Sequence, residues 1–312
     1  SGTRDIDLHI VGKVLAEVVD RDRAATRPGL DLAGRLVTPG LVDAEHDLAA
    51  DATEPTLPGP YLDRGRRDES LPAVAAEPAA IDAAALSLIK EGVTAIAGPT
   101  APPPNTVRHL AGARIASLLL DRNPKKTMAR AKGAPVFVTV GDGDSRASKR
   151  DFDLLVDMGL LGAQLVAIGG VALTPAQAEQ LAEAGATLVW RPRTDKFILG
   201  RTVDPDVLAN PRLRLLLGAG ARRDGGQGLL AALQRADALG VVARDRLLGA
   251  VTTCPAAVVG PDRVWPEPGW PADIAVWDAD DVATAVFETG ARALCLTMVG
   301  GREVFRAEKC FT

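Results

Sequence analysis

Three carboxylates recur at every second position in GRLVTPGLVDAEHD, residues 34–47: Asp43, Glu45 and Asp47. After the Pro39-Gly40 turn, Leu41 and Val42 read as a buried strand, and in a strand successive side chains alternate faces. The three acids are therefore expected on one face, with Ala44 and His46 on the other. Carboxylates gathered where water is partly excluded repel one another, which raises at least one pKa, whereas a neighbouring guanidinium lowers it. Arg191, Arg193 and Asp195 follow the apolar run ATLVW (186–190), and Arg222, Arg223 and Asp224 follow RLRLLLGAG (212–220). Such a set suits general acid/base catalysis or the binding of an anionic or zwitterionic small molecule. It equally suits a self-neutralising ion network that only fills space. Two buried carboxylates need a proton or a partner, so Glu45 or Asp47 is expected to contact Arg191, Arg193, Arg222 or Arg223. Glu45, with the longer reach, is the first candidate for an acid or base.

The elements that must position these groups alternate in type. The helix-like AAIDAAALSLIKEG (79–92) precedes the strand-like VTAIAG (93–98), and NTVRHLAG (105–112), read as helix-like, leads to ARIASLLL (113–120). A lysine-rich helix precedes APVFVTVG (134–141), and DFDLLVDMG (151–159) precedes AQLVAIGG (163–170). TPAQAEQLAEAG (174–185) opens with a capping threonine and a first-turn proline and feeds ATLVW. GQGLLAALQRADALG (226–240) closes the series. Apolar runs alternating with helices imply a parallel sheet, and their number implies a closed, TIM-like (β/α)8 barrel over residues 39–261. Chemistry in such a barrel sits at the C-terminal strand ends. The polar stretch 50–70 reads as a mobile surface loop there, with Tyr61 and Arg64 to Arg67 as the residues able to close over a ligand. GDGDS (141–145) lacks the remaining positions of a calcium loop, and GAGARRDGG (218–226) reads as a flexible connection.

GRLVTPGLVDAEHD resembles the first barrel strand of the amidohydrolase superfamily, where a Pro-Gly turn leads into His-x-His, the metal-binding pair. Glu45 and Asp47 stand at those two positions. Residues 163–200 look like the deaminase and chlorohydrolase branch, with Ala167 at a metal-ligand position and Trp190 at a substrate-contacting histidine. By the same resemblance Gly220 takes the place of the general-base aspartate, and Thr139 and Asp142 fall where a histidine and an acid stand. WPEPGWPADIAVWDADD and ALCLTMVGGREVFR, within residues 262–307, resemble the closing pattern of the family. The resemblance implies that the chain ends, 1–38 and 262–312, pair into one small β-sandwich, in which Trp265, Trp270 and Trp277 would pack.

A zinc-type site needs about three or four imidazoles with an aspartate. The chain has three histidines, His9, His46 and His109, none read as lying at a ligand position. The expectation is thus an amidohydrolase-like protein without its metal site: a metal-independent acid/base enzyme acting on a small polar metabolite. Its catalytic candidates are Glu45, Asp47 and Asp142; its substrate-binding candidates are Trp190, Arg191, Arg193, Asp195, Arg222 and Arg223. The alternative is an inactive homologue that binds a small ligand or a protein partner. A hard-cation site at Glu45, Asp47 and Asp142 is the weaker choice, and no metal or cofactor is expected.

Apolar residues make up 47% of the 312, as in ordinary globular proteins. The net charge of −4, with signs mixed, gives no case for nucleic acid or an anionic membrane. No apolar run approaches the ~18 residues of a membrane span, and SGTRDIDLHI lacks the apolar region of a secretory leader. Cys254, Cys295 and Cys310 show no ligand spacing and read as incidental thiols of a reducing cytoplasm. A homodimer is left open.

Overall fold

Pro39 and Gly40 divide one run of chain between two sheets. On the N-terminal side, β3 (Leu36–Pro39) joins a sheet made by the far end of the chain; on the other, β4 (Leu41–Asp43) enters the barrel. Gly40 donates its N–H to the Asp273 carbonyl at 2.9 Å, and a Cβ on Gly40 would overlap the Thr94 side chain. The computed structural model describes residues 4–20, 29–72, 76–110, 112–115, 118, 123–259 and 265–311. Parts of the expected segments 1–38, 113–120 and 262–307 therefore lie outside the described residues.

Parallel strands in two arrays line the barrel. β4 pairs with β5 (Val93–Ile96), which pairs with β6 (Arg108–His109). A second array runs β7 (Ala113–Ile115), β8 (Val136–Val140), β9 (Leu165–Gly169), β10 (Thr187–Trp190) and β11 (Arg214–Leu217). The ring closes where Ala44 donates to Leu217 O at 2.9 Å and Gly220 donates to Glu45 O at 2.8 Å. β6 falls inside the stretch read as helix-like, 105–112, which corrects that reading. His109 lies on that strand, its Nε2 3.0 Å from the Gly98 carbonyl. Even–odd alternation holds along the strands. Ala44, Ala97, Phe137, Val166, Ile168, Val189 and Leu216 form the inner cluster, joined by Cys254 and Val258 of the helix Thr253–Val259. The opposite faces, such as Leu165, Ala167, Leu188, Trp190 and Leu217, belong to the larger core shared with the outer helices.

The helices begin as their sequences require. In Pro175–Glu183, the Thr174 hydroxyl and the Gln177 side chain form a reciprocal capping box, with Pro175 in the first turn.

At the chain ends, the hairpin β1 (Ile6–Val11) and β2 (Val14–Asp20) lies against a four-stranded antiparallel sheet. That sheet runs Arg302–Arg306, Leu294–Val299, Ile274–Trp277 and then β3. Across the join Leu15 donates its N–H to the Trp270 carbonyl at 2.8 Å and accepts the Gly269 N–H at 2.6 Å, and Leu15, Trp270, Ile274, Val276 and Leu296 share one core. Trp265 packs edge-on against Trp270, with ring centroids 5.8 Å apart. Cys295 and Cys310 are disulfide-bonded, so the reading of these two as incidental thiols is corrected; only Cys254 is free. Disulfides persist in oxidising compartments, and the cysteines no longer argue for a reducing cytoplasm. Among the described residues no helix is long and apolar enough to cross a membrane.

Candidate functional site

Strict alternation stops at the end of β4. Asp43 is fully buried, and its Oδ1 accepts the N–H groups of Glu45 (3.1 Å) and Ala219 (3.0 Å). Its Oδ2 lies 3.1 Å from Nδ1 of the buried His46. Asp43 and His46 therefore face each other instead of opposite sides of a strand. Asp47 leaves the strand altogether and caps the short helix Leu48–Asp51, accepting Ala49 N–H at 3.1 Å and the Thr100 hydroxyl at 2.8 Å. Glu45 is the one of the three that turns into the barrel, where a Cβ on Gly218 would come within 2.6 Å of its own Cβ. Its carboxylate accepts from both terminal nitrogens of Arg114 at 3.2 Å. The expected arginine partner exists, but it is none of the four candidates. Arg114 sits inside the apolar run ARIASLLL, and its guanidinium lies 5.0 Å from the centre of the Phe137 ring. An isolated arginine in an apolar strand was the available signal.

The remaining charges at the mouth form one connected network. Arg191 donates to Asp142 at 2.6 Å and lies 3.1 Å from Asp195. Arg64 reaches Asp142 at 3.2 Å and Asp224 at 2.7 Å, and Arg67 donates to Asp224 at 2.7 Å. Arg67 also donates to the Thr56 hydroxyl. Burial works against the Arg191 charge, yet Asp142, Asp195 and Glu45 hold its pKa above the ordinary arginine value. Burial lifts Asp195 well above the usual carboxylate range, with Arg191 opposing and Asp142 adding to it. Burial would raise Asp224 too, but Arg64 and Arg67 hold it below the usual range.

Arg64 and Arg67 come from the stretch read as a mobile loop, and here it is docked. Thr56 N–H binds Arg223 O at 3.0 Å, and Gly59 and Tyr61 bind the carbonyls of Phe197 and Ile198 at 2.7 and 2.8 Å. Asp144 donates to Leu62 O at 2.7 Å, and Arg64 to Asp142 O at 3.1 Å. Three strand-end loops, after β8, β10 and β11, thus hold the loop that follows β4. Asp63 caps the helix Arg64–Ser70, which carries both arginines into the mouth. Gly143 permits this approach, since a Cβ there would overlap Asp63.

The other sequence candidates are scattered. Trp190 faces the outer core, fully buried, and its indole N–H donates to the Thr202 hydroxyl at 2.6 Å. Arg222 is exposed and pairs with Glu54 at 3.2 Å, while Arg223 lies 3.8 Å from Asp68. Arg193 is half-buried, at the start of the helix Thr194–Leu199. The structure thus brings together Asp142, Arg191 and Asp195, with Glu45 close enough for its charge to act on Arg191.

The donor set at the mouth does not suit a transition metal. Glu45 and Asp142 already face guanidinium groups, Asp47 is a helix cap, and Gly220 offers no side chain. Among the described residues no group of three or more His, Cys, Asp or Glu could hold a metal ion.

No family model and no curated protein matches the chain. Solved structures do match, over nearly its whole length. An adenosine deaminase from Xanthomonas campestris, with zinc bound, aligns at a TM-score of 0.76 and 16% identity, covering 96% of this chain and 88% of its own. A variant of the atrazine chlorohydrolase TrzN from Arthrobacter aurescens, complexed with zinc and atraton, aligns at 0.72 and 18%, covering 96% and 90%. N-isopropylammelide isopropylaminohydrolase from Burkholderia multivorans aligns at 0.70 and 16%, covering 96% and 95%. The chain therefore has the α/β fold of these amidohydrolase-superfamily enzymes, as the resemblance implied.

Proposed function

We propose that this chain is an amidohydrolase-fold protein that binds a small polar molecule and performs no metal-dependent hydrolysis at its barrel mouth. One observation carries this reading. The space above the strand ends is filled by the chain's own Arg64, Arg67, Arg191, Asp142, Asp195 and Asp224, held there by the docked loop. A substrate would have to displace paired buried charges, each costly to strip of its partner (about 3–5 kcal/mol). Elemental analysis of protein purified without added metal should find less than about one tenth equivalent of zinc, iron or manganese. Incubation with zinc should produce no ammonia from adenosine and no chloride from atrazine. A stoichiometric metal whose chelation abolishes either turnover would overturn the proposal.

The second reading, a metal-independent acid/base enzyme, draws on the buried Asp43–His46 pair instead of the mouth. Asp43 orients the imidazole through Nδ1 and leaves Nε2 without a hydrogen-bond partner. An oriented imidazole with a free nitrogen is what proton transfer requires.

A further inference from the structure

The buried His46 has one ring nitrogen held and one free. Asp43 Oδ2 lies 3.1 Å from Nδ1, whereas Nε2, in a side chain only 2% exposed, has no hydrogen-bond partner. Asp51 Oδ2 lies 3.9 Å from Nε2, beyond hydrogen-bond reach. Asp51 is fixed through its other oxygen, since Oδ1 accepts the Arg222 N–H at 2.8 Å. The Arg222 guanidinium is itself engaged by Glu54 at 3.2 Å. His46 and Asp51 both line a cleft of about 470 Å³, in the range of small-molecule sites.

The 3.9 Å gap selects the kind of group that fits it. Burial works against a charge on the His46 ring, but Asp43, then Asp51 and Asp47, outweigh it and hold the pKa above the ordinary histidine value. Nε2 therefore carries a proton and faces a carboxylate that can only accept. An ammonium set between them would meet the Nε2–H donor to donor, and a carboxylate would meet Asp51 as a like charge. A hydroxyl oxygen accepts the Nε2–H and donates its own proton to Asp51 Oδ2, and two such bonds of about 2.8 Å span the gap. The rest of the lining calls for more such groups. Ser87, Glu91, Arg193 and Gln227 offer donors and acceptors, and the buried Nε of Arg193 has no partner. Charges of both signs line the cleft, so a ligand with net charge gains at one and loses at another, whereas an uncharged polyol is matched by both. Leu88 and Phe197 add apolar surface for the carbon frame.

We propose that this cleft binds an uncharged polyhydroxylated ring of monosaccharide size, with one hydroxyl seated between His46 and Asp51. The proposal rests on the reading that the chain binds a small polar molecule, and names where and of what class.

Saturation-transfer NMR titrations with D-glucose and D-xylose test it, beside three ring probes: cyclohexanol with one hydroxyl, glucosamine with an ammonium and glucuronate with a carboxylate. At least one of the two sugars should bind saturably, with a Kd of about 10 mM or tighter. Cyclohexanol should bind at least about tenfold more weakly than that sugar, and neither charged ring should bind more tightly than it. Asp51→Asn keeps an oxygen for the Arg222 N–H but puts a donor in place of the free acceptor, and should weaken the sugar about tenfold. Circular dichroism verifies folding; if Asp51→Asn does not fold, Arg193→Met, which removes the unpartnered donor, should weaken it about threefold or more. No saturable binding of either sugar to the folded parent would overturn the proposal and leave the gap to water alone. Tightest binding by glucosamine or glucuronate would overturn it, as would cyclohexanol binding as tightly as the sugars. A folded Asp51→Asn variant, or in its place Arg193→Met, that binds sugar like the parent would overturn it too. A metal-dependent turnover at the mouth would defeat the functional proposal without touching these affinities, whereas absent sugar binding without turnover removes this inference alone.

Discussion

Glu45 and Asp142 were equivalent carboxylates by sequence, yet their surroundings separate them. Glu45 faces one arginine in a partly exposed pair, so Glu45→Gln should change stability by no more than about 1 kcal/mol. Arg191 holds two carboxylates at a fully buried position, and Arg191→Met should cost about 3–5 kcal/mol, because Asp142 and Asp195 lose their shared cation. Urea denaturation of the two variants checks the contrast; equal losses would mean that Glu45 also belongs to the load of the network. Glu91 gives a pH signature. Burial, opposed by the Leu230 N–H, lifts its pKa from 4.5 to about 7. The folded state then holds the proton more tightly, so this group costs nothing below its unfolded pKa. Its cost grows as pH rises toward 7 and is constant above it. Glu91→Gln removes that slope: the variant should match the parent near pH 4 and exceed it by up to about 3 kcal/mol at pH 8. Denaturation midpoints across that range decide it, and a constant difference at all pH values would count against the burial argument.

The loop after β4 and its short helix are held by backbone bonds to three strand-end loops and by two arginines, with little apolar burial of their own. The close approach of Gly143 to Asp63 is its weakest point. Gly143→Val should lever the segment off the mouth at a cost of about 1–3 kcal/mol. Trypsin would then cut at Arg64, Arg66 or Arg67 well before the barrel, whereas the parent should resist there. Rapid cleavage of the parent at these sites would show that the loop does not stay docked.

Strand β3 and the strands Ile274–Trp277, Leu294–Val299 and Arg302–Arg306 form one sheet, and the Cys295–Cys310 disulfide closes a loop of 15 residues there. Chain-entropy arithmetic for such a loop gives about 3 kcal/mol. The double variant Cys295→Ser, Cys310→Ser should lose about that much, with the parent under reductant falling to the same level. An unchanged denaturation midpoint under reductant would mean the thiols are not paired in solution.

Sequence alone carried the features that depend on near neighbours. Alternating apolar runs and helices gave the parallel wall, the Pro39-Gly40 step marked the passage from one sheet to the other, and Thr174 with Pro175 marked a helix start. The scarcity of histidine was likewise a matter of counting. What only the tertiary structure decided was which charge meets which. Glu45 and Arg114 are 69 positions apart, and Arg67 and Asp224 are 157 apart. No local period carries such distances, because ion pairing is set by where the barrel closes and not by the spacing of residues along a strand. The same holds for Asp43 and His46: alternation assigned them opposite faces. The chain leaves β geometry after Asp43, because the N–H groups of Glu45 and Ala219 converge on its carboxylate, and that turn brings the imidazole round to meet it.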